Sequence, residues 1–417
     1  MTGRRNGWYV VALLAVCNFL NYAQRNVLFS AYDDLRAQFH VSNATLGLLG
    51  SVYMGAHALA TLPAGWLGDR ADRRRLLALS IVLWSGGAGL AAMAGDVVTL
   101  GVGRALTGLA TAVVVPVANS ILSEVFPADR KASVLAIFNL GLFLGGVAGF
   151  ALGSGVGHPA GVIALAVPGV AIALLVARLD VPPHARGGER TPGARELARH
   201  LRALLAVRSL RWVMVSTTLM AFAAGGLLAW LKDFLQHHKH LSEARATSVL
   251  GAALVGGLAG VVTGGRVADI LRRRRPHGRL LTISLGMAAS VPCGLLCILA
   301  PSTPVLVVGA ITTMFFVSWY HGPMAASVDD LAPDGTAVTT QALVIFSMHL
   351  IGTAPASWVI GELKDAHGFT VAMLVPTAMI GLASLAMTRG FASFATDAAA
   401  ARGSTRNGRS AMTGGDA

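Results

Sequence analysis

The sequence predicts an all-α membrane protein in which twelve transmembrane helices form two pseudo-symmetric six-helix halves. Composition is the first observation: 54% of the 417 residues are hydrophobic and only 13% are charged, whereas an average soluble domain is about 25% charged. The second observation is a series of apolar runs of roughly 20 residues, the length that crosses a bilayer as a helix. The third is a charged, glycine-containing loop that occurs twice, 200 positions apart, and indicates two related halves.

The apolar runs follow one another through short loops. They are centred on residues 8–35, 44–67, 76–94, 98–122, 132–154, 161–178, 212–235, 246–270, 280–299, 304–327, 338–361 and 370–387. In the fifth run a glycine recurs at every fourth position, which predicts a flat helix face against a neighbouring helix. These glycines are Gly141, Gly145, Gly149 and Gly153. The predicted domains are a first half (1–180), a linker (181–211), a second half (212–388) and a disordered tail (389–417).

The linker and the tail differ from the apolar runs in composition. The linker combines leucines at helical spacing with several arginines, a pattern typical of an amphipathic helix on the inner membrane surface. A disordered linker is the alternative. The tail is polar and rich in small residues, which predicts disorder.

The positive residues are distributed unevenly between the loops. If the N-terminus is inside, the outer loops hold only five of the 33 Lys and Arg residues, and almost all of the others are inside. These five are Arg36, Lys232, Lys239, Arg245 and Lys364. This distribution predicts a multi-pass protein of the cell inner or plasma membrane with both termini in the cytoplasm. It argues against nucleic acid as a partner, because the arginines lie in short loops and do not form a surface stripe.

The first run carries a polar stripe at i, i+3, i+4 and i+7, which places all four side chains on one helix face. The stripe consists of Asn18, Asn21, Tyr22 and Arg25. A charge at the centre of a bilayer costs on the order of 3 kcal/mol or more, so the stripe is expected to line a water-filled cavity. The alternative is that Arg25 caps backbone carbonyls or extends to the interface.

The fourth run repeats this spacing with Arg104, Thr107 and Thr111. Two arginine stripes without a mid-span acid predict a cavity that attracts anions. Helix capping is again the alternative for Arg104.

Five further residues inside the spans are candidates for the cavity. His57, His321 and His349 are the mid-span groups that could titrate near neutral pH, although a buried histidine is more often a packing residue. Trp319 and Tyr320 are expected either to form a wall for an amphiphile or to pack in the core.

A cluster of His237, His238 and His240 lies at the outer end of the seventh run. It could bind a metal, but a solvated loop is the favoured interpretation, so no metal and no cofactor are expected. The three cysteines all lie in apolar runs and indicate no disulfide framework.

The charged loop and three other segments resemble known family motifs. The loop at 65–74 contains Gly65, Gly68, Asp69, Arg70 and Arg73, and it resembles the loop 2–3 signature of the major facilitator superfamily. Segments 20–25, 104–108 and 123–130 are similar to the Spinster family of lipid transporters.

The resemblance implies a major facilitator fold, alternating access and a gating role for the charged loop. In that scheme Asp69, with Arg70 and Arg130, helps to hold the inner side closed, and Asp269 is the counterpart of Asp69 in the second half.

Two positions depart from the Spinster pattern. Gln24 stands where the family usually has aspartate, and Thr111 stands where it usually has glutamate. Neither replacement can change charge with pH, so the proton-coupling scheme of the family cannot simply be carried over. Loss of two acids beside Arg25 and Arg104 also makes the cavity more positive and favours an anionic head group.

The predicted function is therefore alternating-access secondary transport of an amphiphilic anion, a lysophospholipid or a sphingolipid-like lipid, by a monomer. The alternative is a small organic anion or drug transporter of another major facilitator branch. A membrane enzyme acting on lipid would need a convergent nucleophile, base or metal site, and the sequence indicates none. A ligand sensor without transport activity is a third hypothesis.

Overall fold

A computed structural model of the chain describes residues 2–68, 71–126, 128–180, 202–332 and 337–401. The described residues are helical almost throughout and contain no strand, so the predicted all-α class is confirmed. The linker predicted at 181–211 falls largely outside this description. The helices before the linker are α1 (Thr2–Ser30), α2 (Tyr32–Phe39), α3 (Asn43–Gly68), α4 (Arg73–Ala92), α5 (Val97–Thr111), α6 (Val114–Val125), α7 (Ala128–Val156) and α8 (Ala160–Ala177).

The helices after the linker include three short segments of tighter or wider winding. A π-helical turn (Phe234–His238) follows α9, a 3₁₀ turn (Ser318–Tyr320) follows α12, and a second π-helical turn (Met348–Thr353) joins α14 to α15. The α-helices are α9 (Arg208–Asp233), α10 (Glu243–Arg274), α11 (Gly278–Leu299), α12 (Thr303–Val317), α13 (His321–Leu331), α14 (Ala337–Ser347) and α15 (Ala354–Arg389).

Ten segments of the described chain are long and apolar enough to cross a membrane. The last of them, Thr340–Arg389, has 50 residues. At about 1.5 Å per residue this is more than twice the thickness of the hydrocarbon core. Its helix breaks at Gly368, where φ is 82°, a value that glycine adopts without a steric penalty. With this segment divided in two, and with α1 added, the count is consistent with the twelve crossings that the sequence predicts.

The described chain divides into two compact units. Unit 1 contains Met1–Gly188, Gly225–Gly251 and Thr353–Ala372, and unit 2 contains the remaining segments. Parts of α9, α10 and α15 therefore belong to unit 1, although the sequence places them in the second half. The six-helix halves themselves stay a prediction.

The glycine stripe of α7 packs α1 directly against α7. A Cβ atom at Gly141 would lie 2.8 Å from the backbone nitrogen of Phe19, and one at Gly149 would lie 2.9 Å from Cα of Ala23. Both distances are shorter than a carbon atom tolerates, so the two backbones meet because these residues have no side chain. This contact fixes the rotation of α1 and hence the direction of its polar stripe.

The internal repeat is visible in a pair of ion pairs. Arg73 at the start of α4 contacts Glu124 of α6 at 2.7 Å. In unit 2, Arg279 at the start of α11 contacts Asp330 of α13 at 2.5 Å, and in both pairs the acid follows the arginine by 51 residues. Helices α5 and α12 have the same length of 15 residues and start 206 positions apart, which is also the offset between the two arginines.

The sequence places the two charged loops 200 positions apart and thereby pairs Arg73 with Arg273. The ion pairs show that this pairing is wrong for Arg73. Arg273 lies in the last turn of α10, because α10 continues through the second loop. Arg279 takes the structural position of Arg73.

The tail begins with an ordered helix, which corrects the prediction of disorder from residue 389. Residues 391–401 are helical, and the side chains of Phe394 and Ala398 are buried. Asp397 accepts a hydrogen bond of 2.8 Å from the backbone N–H of Ser209 in the first turn of α9. The carboxylate thereby satisfies a donor that the helix start leaves free. Residues 402–417 lie outside the description.

Candidate functional site

Arg104 on α5 is the most unusual polar residue of unit 1. Its side chain is 2% exposed, and two of its guanidinium nitrogens, Nε and Nη2, have no hydrogen-bond partner among the described residues. Nη1 donates a long hydrogen bond of 3.5 Å to the backbone oxygen of Gln24 on α1. A buried charge with unused donors is costly, so a structural role alone does not account for it.

Tyr53 on α3 holds the guanidinium from one side. The Cζ atom of Arg104 lies 4.4 Å from the centre of the Tyr53 ring, which is a cation–π contact. The Tyr53 hydroxyl is 3.0 Å from Oγ1 of Thr111, and Nδ1 of His57 is 3.3 Å from the same oxygen. Because the Thr111 hydroxyl also donates to the backbone oxygen of Gly108 at 3.0 Å, it accepts from the hydroxyl of Tyr53.

The residues of α1 that are predicted to line the cavity have different partners. Asn18 donates from Nδ2 to the backbone oxygen of Phe138 on α7 at 2.9 Å, so its amide ties α1 to α7. Gln24 is 2% exposed, and its Oε1 has no partner among the described residues. Arg25 is half-buried with an Nε that is likewise unpartnered in the described chain.

Two more stripe residues and one threonine complete the set in unit 1. Asn21 is buried and Tyr22 is half-buried. Thr107 donates its hydroxyl to the backbone oxygen of Gly103 in its own helix at 2.8 Å and packs against Gly87 of α4. Its hydroxyl is therefore used within α5.

The electrostatics of this region are one-sided. The charge of Arg25 acts on Arg104 as a repulsive neighbour. The sequence contains no Asp or Glu in residues 1–32, 43–68 or 97–123, the stretches that form α1, α3 and α5. Two guanidinium groups thus share a region without a compensating carboxylate from these helices. The arrangement can bind an anion.

The remaining predicted cavity residues lie in unit 2. Trp319 packs edge-on against Phe315 and at a tilt against Phe316, with ring centres 6.0 Å and 5.5 Å away. A Cβ at Gly286 of α11 would lie 2.8 Å from Cβ of Trp319, so the indole is wedged against that helix.

The other three predicted residues of unit 2 are less enclosed. The rings of Tyr320 and His321 lie 4.1 Å apart, and His321 is exposed. His349 is half-buried in the π-helical turn before α15, a type of winding that is frequent at functional sites.

The predicted gating residues are described only in part. Asp69 and Arg70 lie outside the described residues, as does the side chain of Arg130. Asp269 is exposed on α10. The gating role of these four residues stays a prediction.

Within the charged loop, Asp72 caps α4. Its side chain accepts hydrogen bonds from the backbone N–H groups of Arg74 at 3.0 Å and Arg75 at 3.4 Å. The hydrogen bond from the Arg74 side chain, together with these N–H groups, holds the pKa of Asp72 below its ordinary value. An aspartate at this position satisfies the free donors of the first helical turn.

Sequence reasoning missed a second polar group, the α2 polar cluster. It joins α2 and the start of α3 to the ends of α9 and α10 and to α15. Its members are Asp33, Arg36, Asn43, Lys232, Asp233, His237, Glu243, Lys364 and Asp365. These residues come from distant parts of the sequence, so no local pattern reveals them.

Asp233 is the centre of the α2 polar cluster and is 2% exposed. Its Oδ2 accepts from Lys364 at 2.5 Å and from Arg36 at 3.3 Å. Asn43 accepts on its Oδ1 from both cations, at 2.7 Å from Lys364 and 2.9 Å from Arg36. A buried carboxylate with two cations in contact is electrically satisfied.

Two further contacts extend the α2 polar cluster. Asp365 accepts from the side chain of Asn43 at 2.5 Å and from the backbone N–H of Ala44 at 2.8 Å, so α15 supplies the cap of α3. Lys232 donates to the backbone oxygen of Ser30 at 2.6 Å and to Glu243 at 2.8 Å.

The three clustered histidines do not converge. His237 lies 2.9 Å from Oδ1 of Asp233 and 3.4 Å from Oδ1 of Asp33. His238 stacks on Phe234 and contacts Thr370 at 3.1 Å.

The sequence profile of the Major Facilitator Superfamily matches residues 14–357. The chain belongs to the Major Facilitator Superfamily. It is a membrane-embedded transporter and not an enzyme.

The curated relatives are Spinster proteins. Protein spinster homolog 3 of Danio rerio is 26% identical over 404 residues, which cover 87% of this chain and 78% of the relative. Protein spinster of Drosophila melanogaster is 25% identical over 87% of this chain and 62% of its own length. The mouse (Mus musculus) sphingosine-1-phosphate transporter SPNS2 is 27% identical over 85% of this chain and 69% of its own length.

Solved structures share the fold. A bacterial homologue of the human lysosomal transporter Spinster, in an inward-facing and unoccupied conformation, has a TM-score of 0.81 at 18% identity and covers 94% of this chain and 98% of the other. A D-xylose–proton symporter has a TM-score of 0.71 at 15% identity, over 91% and 97% of the two chains. These likenesses confirm the predicted major facilitator fold.

Proposed function

We propose that this transporter carries an amphiphilic anion, a lysophospholipid or a sphingolipid-like phosphate, and that Arg104 and Arg25 bind its anionic head group. The observation that carries the proposal is Arg104, a buried guanidinium with two unpartnered nitrogens and no carboxylate on the helices around it. A phosphate monoester offers oxygen acceptors in the fork geometry that arginine favours.

Tyr53 and Thr111 are proposed to prepare the site before the anion arrives. The negative face of the Tyr53 ring contacts the guanidinium of Arg104 and stabilises part of its positive charge, as a carboxylate would otherwise do. Unlike a carboxylate, the ring leaves the charge of Arg104 uncompensated. The site therefore keeps its net positive charge, which favours a charged head group over a neutral one.

The relatives support the lipid class of the substrate. One of them is named as a sphingosine-1-phosphate transporter, and such a molecule combines a single chain with a phosphate. The apolar part of the substrate would be accommodated by apolar walls, while the two arginines distinguish it from neutral lipids of the same chain length.

The proposal also includes the topology. We place both termini in the cytoplasm, in the cell inner or plasma membrane, because the predicted outer loops hold only five of the 33 Lys and Arg residues. Under this topology the α2 polar cluster is on the outer side. Labelling of a single cysteine introduced at the exposed Ala37 by a membrane-impermeant maleimide in intact cells tests this; protection of that cysteine in intact cells contradicts it.

The substrate is tested by uptake into proteoliposomes that contain the full chain. Lysophosphatidic acid and monoacylglycerol of the same acyl chain differ only in the phosphate. Uptake of the phosphate-bearing lipid, reduced at least tenfold by Arg25→Gln or by Arg104→Gln, is expected. Arg245→Gln is the matched control, because Arg245 is an exposed arginine of the same charge. Equal uptake of both lipids, or full activity in both site variants, contradicts the proposal.

A further inference from the structure

His237 lies between two carboxylates that belong to different helices. Nδ1 faces Asp233, the last residue of α9, at 2.9 Å, and Nε2 faces Asp33 in the first turn of α2 at 3.4 Å. The positively charged groups near it are Arg36 of α2, which contacts both carboxylates, and Lys364 of α15, which contacts Asp233. Both ring nitrogens therefore face acceptors, an arrangement that suits the imidazolium, in which both nitrogens donate.

We propose that the α2 polar cluster is a proton-binding site of the transport cycle, in which protonated His237 holds the end of α9 against α2. Histidine is the side chain that changes charge near neutral pH. Residues 1–32, 43–68 and 97–123 contain no Asp or Glu, so the helices around Arg104 offer no carboxylate to bind a proton.

The charge balance of the cluster supports one additional proton. Two carboxylates, those of Asp33 and Asp233, lie in direct contact with the cations Arg36 and Lys364. A third carboxylate, that of Asp365, joins the cluster through Asn43, whose Oδ1 accepts from both cations. The neighbouring pair of Lys232 and Glu243 is neutral as a unit. A surplus of one negative charge remains, and the imidazolium of His237 balances it.

The contact with Asp33 makes proton binding depend on conformation. Asp233 lies on the same helix as His237 and stays near it in any arrangement of α9. Asp33 lies on α2, which the sequence assigns to the other half of the transporter. When the halves rock apart at this end, His237 loses Asp33 and keeps Asp233. A proton shifts the equilibrium between the closed and the open state only if it binds the two states with different affinity. The loss of the contact with Asp33 in the open state supplies this difference in affinity.

The sign of the effect follows from the same contact. Protonation is favoured while Asp33 is present, so lower pH at this end stabilises the closed arrangement of α2 and α9, and higher pH releases it. For a single proton the ratio of closed to open molecules changes by at most about tenfold per pH unit. The inference rests on the proposed alternating-access cycle and not on the identity of the substrate.

A metal ion is the competing occupant. Asp33, Asp233 and His237 place one ligand atom each within 4.8 Å of one another. However, Oδ1 of Asp33 accepts from Arg36 at 2.6 Å, and Oδ2 of Asp233 accepts from Lys364 at 2.5 Å. Two cations already occupy the carboxylates, and a divalent ion would have to displace them. The proton is therefore the better match.

The experiment measures the distance between spin labels across the cluster without any lipid substrate. Labels are attached at Ala37→Cys on α2 and Ala366→Cys on α15, two exposed positions beside the cluster. The full chain is placed in phosphatidylcholine nanodiscs after the native cysteines are replaced. These are Cys17, Cys293 and Cys297. Double electron–electron resonance is recorded from pH 8 to pH 5.5, a range that includes the ordinary pKa of a histidine side chain.

In the wild-type chain, the population with a short distance between the two labels is expected to grow as pH falls. In His237→Gln, the distance distribution is expected not to change with pH. Asp33→Asn is the second variant. Because Asp33 is exposed, the fold tolerates the change, and the pH dependence should shrink with α9 unaltered. His240→Asn is the matched control: His240 has a φ of 53°, which asparagine tolerates, and it should keep the wild-type response.

Three results would overturn the proposal. The first is a distance distribution that is independent of pH in the wild-type chain. The second is a pH response that persists in His237→Gln. The third is a response that is abolished by EDTA and restored by Zn²⁺ at constant pH, which would assign the site to a metal. Because no lipid takes part, a failure of the lipid proposal leaves this measurement unaffected.

Discussion

Replacement of Arg104 by methionine should separate binding from stability. Two nitrogens of Arg104 lack partners among the described residues, and a phosphate could accept from both. Hydrogen bonds to charged groups contribute about 1.5–3 kcal/mol each. Loss of two therefore costs at least about 3 kcal/mol, which corresponds to about 100-fold in Kd.

The same substitution should not weaken the fold. An unpaired guanidinium that is 2% exposed carries a desolvation penalty of several kcal/mol. The cation–π contact with Tyr53 offsets about 1–2 kcal/mol of this penalty, and the single long hydrogen bond to Gln24 adds little. Methionine fills similar space without a charge. The ligand-free variant should therefore unfold at the same temperature as the wild type or at a higher one.

The assay compares Kd and Tm in the same detergent preparation. Binding of lysophosphatidic acid is measured by isothermal titration calorimetry, with monoacylglycerol of equal chain length as the neutral ligand. Tm is measured from tryptophan fluorescence without ligand. Arg245→Met serves as the control for loss of one positive charge. An unchanged Kd for Arg104→Met, or a Tm lowered by several degrees, would refute the assignment of Arg104 to the head group.

Three further predictions concern the supports of the site and the fold. Tyr53→Phe keeps the ring over Arg104 and should change Kd by less than about threefold, whereas Tyr53→Leu removes a contact of about 1–2 kcal/mol and should weaken binding about tenfold in the same calorimetric titration. Gly149→Ala places a carbon 2.9 Å from Cα of Ala23 on α1 and nearer still to the carbonyl oxygen of Ala23, so it should lower Tm through about 1–3 kcal/mol of overpacking. Gly155→Ala, with nothing within 4 Å, should leave Tm unchanged. Equal Tm values for the two variants would contradict the α1–α7 contact. Asp72→Ala removes the cap of α4 and should cost about 1 kcal/mol at pH 7. Because the pKa of Asp72 is depressed in the folded protein, this difference is full above the ordinary carboxyl pKa and should vanish as pH falls through the folded value, which unfolding of both proteins from pH 7 to pH 3 would show.

The parts of the fold that depend on local pattern could be predicted from the sequence. The length of the apolar runs identifies the membrane spans. The glycine spacing in α7 identifies a helix contact, because residues four positions apart lie on the same face of a helix. Periodicity does not identify what that face meets. Asn18 and Arg25 share a face, yet Asn18 bonds to Phe138 of α7 whereas Arg25 keeps an unpartnered nitrogen in the described chain.

Side-chain partners from distant helices could not be predicted. The cation–π contact of Tyr53 with Arg104 joins residues of α3 and α5. The only sequence signal was the spacing of Tyr53 and His57 by four residues, which puts both rings on one face of α3. Asp233 meets Lys364 across 131 positions. The sequence pairs Arg73 with Arg273 and not with Arg279, because α10 continues through the second charged loop and thereby shifts the structural alignment of the two repeats.

Competition for uptake tests the central claim most directly. Uptake of labelled lysophosphatidic acid into proteoliposomes is measured in the presence of one of three unlabelled competitors. These are a long-chain anion, a neutral lipid of the same chain length, and glycerol 3-phosphate as the short-chain anion. We predict competition by the long-chain anion alone, because both the charge held by Arg104 and an apolar tail contribute to binding. Competition by glycerol 3-phosphate with equal potency, or by the neutral lipid, would contradict the account; the first result would favour a transporter of small organic anions.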